Sequence, residues 1–169
     1  MNKFKRDPVT NPPPEGYWQN LNSVSLTPII HSLFNLMKAD TEFQYVSTYF
    51  DGQVLSISSE QFPTVLAYFE DGVVSPLAIK SFTNSPILVV EYYAHHQLKR
   101  FSEEMYWFLE QILQLVITNR QLDGTVNCVQ KVTPQNYEFD WAVQEDFIID
   151  LVRVRFTVDF TISARIGGN

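Results

Sequence analysis

The chain has 169 residues, and its 12 Lys and Arg against 19 Asp and Glu give a formal net charge of −7 at pH 7. An acidic surface repels nucleic acid, because affinity for phosphates comes from Lys and Arg that displace counterions, so general DNA binding is not expected. The single cysteine excludes an intrachain disulfide, and no apolar stretch approaches the ~20 residues that a membrane-spanning helix needs. A hydrophobic fraction of 45% suits one folded domain.

Residues 1–25 are predicted to form an extended arm. Pro8 and the run Pro12–Pro14 remove backbone donors, and consecutive prolines favour polyproline geometry. Three basic residues against two acidic ones give the arm a local charge of +1, which favours contact with an acidic surface. We expect the arm to lie on its own subunit or on a neighbour, with simple disorder as the alternative. Its predicted anchors are aromatic: Phe4, Tyr17 and Trp18.

Thr27-Pro28 predicts the start of a first helix, with Thr27 as cap and Pro28 at the first helical position. Apolar residues at i, i+3, i+4 and i+7 then give one stripe for the core: Ile30, Leu33, Phe34 and Met37.

Two Asp-Gly pairs then predict turns. Asp51-Gly52 lies between β-rich runs, Phe43–Phe50 and Val54–Ile57, which is typical of a hairpin. The next strand, residues 64–70, is predicted to end at Asp71-Gly72. The irregular residues Val73 to Ser85 are predicted to form a long loop that carries contacts.

The strand Pro86–His95 is apolar on both faces, which predicts a central position in the sheet. A long helix should follow from Ser102, as its cap, to Thr118. Residues 125–133 alternate as a strand, Pro134 is predicted to break it, and residues 135–146 are interpreted as an acidic connection rich in aromatics.

In the final strand, residues 150–162, apolar residues alternate with polar ones from Val152 to Ile162. Its polar row mixes both charges, so it can pair with a neighbouring strand or an adjacent subunit, or form a solvated face. A strand this regular would otherwise present an edge or overhang. Residues 164–169 are predicted to be a flexible C-terminal tail. The candidate subunit-interface residues are Arg153, Arg155 and Asp159.

No pattern in the sequence indicates catalysis. His95 and His96 would point to opposite faces of a strand, and His31 has no partner at helical spacing, so we expect no metal site and no cofactor. Glu138 and Asp140 are best interpreted as solvated acids. We therefore expect a protein that is not an enzyme.

Together the elements predict an α/β (α+β) domain over residues 26–163, with a mixed, mainly antiparallel sheet flanked by two main helices. Their order resembles the tail terminator proteins of long-tailed bacteriophages, and the elements that carry the resemblance are the helix at residues 27–39, the strands at residues 62–68 and 86–94, the helix at residues 102–118 and the closing strand at residues 152–162.

The resemblance implies a structural virion protein, assembled in the host cytoplasm, of which six copies form a ring on the tail tube. That ring would stop tube polymerisation and join the tail to the head connector or stopper protein, while DNA passes through its lumen without specific binding. The basic arm is not carried over from the family, so another neck or head-completion subunit is an alternative. Outside this class, the alternative is a small-molecule binding module with a pocket beneath Tyr92, Tyr93 and Trp107.

Overall fold

A computed structural model describes residues 26–163, apart from residue 55 and residues 79–80, 97–100, 123–128 and 145–146. The helices are α1 (Thr27–Ala39) and α2 (Phe101–Thr118), and single 3₁₀ turns occupy Thr41–Phe43 and Ser59–Gln61. The strands, in chain order, are β1 (Thr48–Asp51), β2 (Thr64–Ala78), β3 (Ser81–His95), β4 (Val129–Gln144) and β5 (Phe147–Ser163).

The described strands form one sheet in the order β1-β2-β3-β5-β4. β1 runs parallel to β2, and every other neighbouring pair is antiparallel. The mixed, mainly antiparallel sheet with two helices confirms the α+β class, and β3 is central as predicted. The fold therefore has two layers, with helices on one face of the sheet and a second face left for other contacts.

The alternation along β5 has a structural reason, because one row of its side chains faces the helices. Val154, Phe156 and Val158 are fully buried in that row. β5 lies between β3 and β4, so it is paired on both sides and forms no sheet edge. The expectation of an edge or overhang was wrong for this strand, since the edge belongs to β4.

Both helices pack on the same face of the sheet. α1 buries Ile29, Leu33 and Met37, and α2 buries Met105, Phe108 and Ile112 in the same cluster. Phe108 stacks on Tyr92 of β3 with ring centroids 4.4 Å apart. A fully buried side chain of this size stabilises the fold by roughly 1.5–3 kcal/mol, so this layer supplies most of the core.

A smaller cluster covers one end of the opposite face. Its buried members are Ile57, Phe62, Leu66 and Ile149, and Phe147 packs beside Phe62 at 5.8 Å. The segment between β1 and β2 therefore folds over the second face where β2 and β5 begin.

The hairpin predicted at Asp51-Gly52 is wrong. β1 ends at Asp51, and its partner is β2 in a parallel register that begins with Thr48 opposite Thr64. Gly52 still supports a turn, because its φ is +105° and its N–H donates to the carbonyl oxygen of Ala67 at 2.8 Å. The turn leads into a crossover, so a local turn signal did not reveal which strand would pair.

The predicted end of β2 at Asp71-Gly72 and the loop over residues 73–85 are also wrong. β2 continues to Ala78, and Val73 lies directly opposite Ser85 in an antiparallel pair. The register shifts between Glu70 and Gly72, so Asp71 is the extra residue of a bulge. A strand can absorb an Asp-Gly pair in this way without turning.

Pro134 does not break the fourth strand. It pairs with Phe156 inside β4, and the register shifts between Pro134 and Asn136. Proline is tolerated at a bulge on an edge strand, where a missing donor breaks no ladder hydrogen bond. The predicted connection over residues 135–146 is therefore strand as far as Gln144.

The two predicted helix caps are displaced. Leu26, and not Thr27, precedes the first turn of α1, and Ser102 lies inside α2. Both helices otherwise match their predicted spans. The arm over residues 1–25, the tail over residues 164–169, and residues 125–128 of the predicted fourth strand lie outside the described residues.

Candidate functional site

The predicted interface residues Arg153 and Arg155 lie on the sheet face opposite the helices. Alternation along β5 puts them there, because their neighbours Val152 and Val154 face the helical core. Both arginines have carboxylate partners within the subunit. We call the group they form the charged network: Glu70, Glu91, Glu138, Arg153 and Arg155.

Glu91 is the buried centre of the network, with 3% of its surface exposed. Its carboxylate accepts hydrogen bonds from Arg153 Nε, from the Tyr68 hydroxyl at 2.9 Å and from the Tyr93 hydroxyl at 2.8 Å. A buried carboxylate is tolerated only when paired and hydrogen-bonded, and three donors meet that requirement here.

Glu138 on β4 bridges the two arginines. It accepts from Arg153 Nη1 and lies 3.3 Å from Arg155 Nη2, while Arg155 Nε lies 3.3 Å from Glu70 Oε2 on β2. The hydrogen bond from Arg153 holds the pKa of Glu138 below its usual value. The network thus joins β2, β3, β5 and β4 side by side, and fixes the register of four strands.

The network also shifts the pKa values of Arg153 and of the two tyrosines that donate to Glu91. Burial would lower the pKa of the Arg153 guanidinium, but hydrogen bonds to Glu91 and Glu138 raise it above its usual value. Burial raises the pKa of Tyr68 and Tyr93, and the adjacent Glu91 carboxylate raises both further. These shifts keep Arg153 charged and both tyrosines neutral, which suits a structural role better than proton transfer.

Asp159 is separate from the network. Its Oδ1 accepts a hydrogen bond from the Ser85 hydroxyl at 2.7 Å. All three predicted interface residues therefore have partners within their own chain, and their role in subunit contacts stays a prediction. Replacing Arg153 with Glu would place a carboxylate beside buried Glu91, so that variant would test folding more than assembly.

The three histidines lie apart, as expected. His31 contacts Asp51 at 3.0 Å, His95 Nε2 lies 3.1 Å from the carbonyl oxygen of Ser59, and His96 Nδ1 lies 2.7 Å from Asp150 Oδ1. Within the described residues, no three His, Cys, Asp or Glu side chains are grouped to hold a metal ion. Cys128 lies outside them.

The pocket proposed beneath Tyr92, Tyr93 and Trp107 does not form. Tyr92 faces the helices, where its hydroxyl donates to Glu104 Oε1 at 2.5 Å, whereas Tyr93 faces the charged network. Trp107 packs against Tyr45 at 4.6 Å, and rings fill the space around Tyr92. Consecutive strand residues point to opposite faces, so these two tyrosines cannot line one pocket.

A surface missed in the sequence lies along β4. Tyr137, Phe139 and Trp141 alternate on the helix side of this edge strand, and Tyr106 of α2 meets Phe139 edge-on at 5.1 Å. Tyr106, Tyr137 and Trp141 are 54%, 55% and 63% exposed. We call these four residues the aromatic surface. Its signal was the alternation of Tyr137, Phe139 and Trp141 with polar neighbours, which the assumption of a break at Pro134 concealed.

No protein-family model matches the chain, and no curated protein sequence matches it either. Neither described helix is long and apolar enough to cross a membrane. The predicted arm anchors Phe4, Tyr17 and Trp18 lie outside the described residues.

Proposed function

We propose that this chain is a phage tail terminator, a structural subunit that forms a ring of six copies on the end of the tail tube. The ring stops tube polymerisation and presents a surface to the head connector or stopper protein. The α+β fold, with a mixed sheet and two helices, agrees with the fold that the resemblance to this family implies.

The observation that carries the proposal is that the described sheet has two different open edges. On one side, β4 pairs with β5 alone among the described strands. Arg120 and Gln121 contact its outer edge at Val132 and Gln130, and the part of that edge from Thr133 to Gln144 has no described strand beyond it. On the other side, β1 covers only Thr64–Ala67 of β2, and the rest of β2 has no described strand beyond it. Contacts between two unlike surfaces of identical subunits are heterologous, and they generate a ring when the rotation closes.

Charge supports a lumen through which DNA passes. The chain carries −7, and a ring multiplies that charge around a narrow channel. Negative potential in a confined space repels phosphates and favours passage over retention. The charged network does not offset this charge, since its three carboxylates outnumber its two arginines.

Light scattering on the full chain tests the proposal. We expect a closed oligomer of six copies, and we expect Ala142→Lys to disperse it, because Ala142 is exposed on β4 and an added lysine there opposes pairing along a strand edge. The matched control is Asn35→Lys at an exposed position of α1, which packs beside β1 at the opposite end of the sheet, so it adds the same charge away from the β4 edge.

A monomer at every protein concentration would contradict the ring. An oligomer that survives Ala142→Lys but not Asn35→Lys would contradict the contact through β4. The alternative assignment, another neck or connector subunit, predicts association only when the tube or connector protein is added.

A further inference from the structure

The aromatic surface exposes large rings at the β4 edge, and no described residue covers them. Tyr106, Tyr137 and Trp141 each expose more than half of their surface, and Phe139 lies between them. The rings of Tyr137 and Phe139 have centroids 5.5 Å apart, so the surface is a continuous aromatic stretch. Clusters of exposed aromatic side chains on one strand are typical of binding surfaces.

The first 25 residues have the chemistry that such a surface binds. Proline-rich segments dock on exposed aromatic rings because the preformed polyproline helix loses little entropy on binding, and the arm contains Pro12-Pro13-Pro14. Tyr17 and Trp18 follow closely, and they can add ring contacts of their own.

Charge also matches. The arm carries Lys3, Lys5 and Arg6 close together. The aromatic surface is bordered by exposed acids on α2, where Glu103 and Glu110 share the Tyr106 side. Asp140 of β4 starts from the opposite face of the strand, but its side chain turns to the strand edge. Asp140 Oδ1 accepts the Trp141 N–H at 2.8 Å, which holds that carboxylate at the strand edge.

The arm is long enough to reach the surface from its own copy. Pro14 precedes Leu26, the first described residue, by 12 positions, so the proline run can reach ~40 Å from it, whereas five strands are about 20 Å wide. A tethered segment is present at an effective concentration of about millimolar, which favours the arm of the same copy over that of a neighbour.

We propose that residues 1–25 bind the aromatic surface of their own copy, with Pro12–Pro14 on the rings of Tyr137 and Trp141. The bound arm covers apolar surface that a free subunit would otherwise expose. The contact between the arm and the aromatic surface does not depend on the six-copy assembly. It is therefore tested separately from the terminator proposal.

Chymotrypsin cleavage after Tyr17 and Trp18 in the full chain tests the proposal. Chymotrypsin can cut a docked arm only while the arm is dissociated from the aromatic surface. We therefore expect cleavage about tenfold slower than in a free peptide of residues 1–25. The double variant Tyr137→Thr and Trp141→Thr should restore the rate of the free peptide. Replacing Pro12, Pro13 and Pro14 with Ala should also remove the protection. The full chain and a free peptide with the same replacements should then be cleaved at the same rate.

The matched control is Ile117→Thr, which removes an exposed apolar side chain from the other end of α2 and should leave the arm protected. A wild-type rate equal to that of the free peptide would overturn the proposal. So would protection that increases with protein concentration, because the arm would then bind a neighbour. The double variant could leave the cleavage rate unchanged and alter only the mass measured by light scattering. The aromatic surface would then bind the folded domain of a second copy, and the proposal would be wrong.

Discussion

At the scale of single residues, the buried carboxylate of Glu91 matters most for stability. Glu91→Gln keeps the shape but removes the charge that faces Arg153, and it leaves the Tyr68 and Tyr93 hydroxyls with a weaker acceptor. Since Arg153 is partly exposed and retains Glu138, we expect a loss of about 2 kcal/mol, below the full effect of breaking a buried pair. Urea unfolding, followed by circular dichroism, measures this loss in the free energy of unfolding.

Glu138→Gln is the matched control, because Glu138 also pairs with Arg153, and with Arg155 as well, from an exposed position. An exposed ion pair contributes roughly 0–1 kcal/mol, so this variant should unfold close to the wild-type midpoint. Equal losses for the two variants would show that burial of Glu91 is not the source of the effect.

The raised pKa of Tyr49 predicts how the free energy of unfolding changes at high pH. Burial raises its pKa to about 12, and its hydroxyl has no hydrogen-bond partner among the described residues. A tyrosine in the unfolded chain ionises near ~10, so the stabilising contribution is complete below that pH and is lost as the pH rises through about 12. The free energy of unfolding should therefore fall over this interval.

Tyr49→Phe provides the comparison. It removes an unsatisfied buried hydroxyl while keeping the ring that Lys38 covers at 5.0 Å, so stability at pH 7 should rise by about 1 kcal/mol. The fall above pH 10 should also become shallower. A variant that is less stable at pH 7 would mean that the hydroxyl has a favourable contact.

At the scale of elements, the long hairpin of β2 and β3 depends on Gly72. A Cβ at this position would lie 2.6 Å from Pro86 Cα, which is backbone and cannot move aside easily. Gly72→Ala should therefore destabilise the protein by about 2 kcal/mol through local overpacking. Thermal unfolding compared with Asp71→Ala, at the neighbouring exposed position of the same bulge, isolates the steric effect.

A Gly72→Ala variant as stable as Asp71→Ala would show that the two strands can separate locally without loss of stability. The bulge would then not constrain the hairpin.

The elements that sequence predicted correctly are those whose periodicity is continuous over many residues. β5 alternates from Val152 to Phe160, and α1 and α2 carry continuous apolar stripes, so the burial pattern alone identifies them. The errors fall at Asp51-Gly52, Asp71-Gly72 and Pro134, where residues typical of turns occur. Two of these sites are at or beside bulges, and pairing with distant strands overrides local preference there.

The candidate site was predicted in part. Alternation along β5 was enough to put Arg153 and Arg155 on one face. Their partners Glu70, Glu91 and Glu138 come from three other strands, and only the register of the sheet brings them together. Sequence carries no direct signal for register between strands so far apart, so the pairing of these charges could not be anticipated.

At the scale of the whole molecule, the two faces of the sheet have different roles. The helical face holds most of the core, and the second face combines a small apolar cluster with the charged network. Among the described residues, the surfaces that remain for contacts with other subunits are therefore the two open edges, and the aromatic surface remains for the arm of the same copy. Assembly through edges leaves the charged network intact, which separates the residues that maintain the fold from those that contact other subunits.

The position of β5 between β3 and β4 has a consequence for synthesis. Within the described sheet, β4 pairs only with β5, which follows it in the chain. As the polypeptide leaves the ribosome, β4 and its aromatic residues emerge before any strand exists to pair with them. The helical core therefore stays incomplete until the last strand is inserted, so nascent chains expose apolar surface over this interval and depend on rapid completion to avoid aggregation.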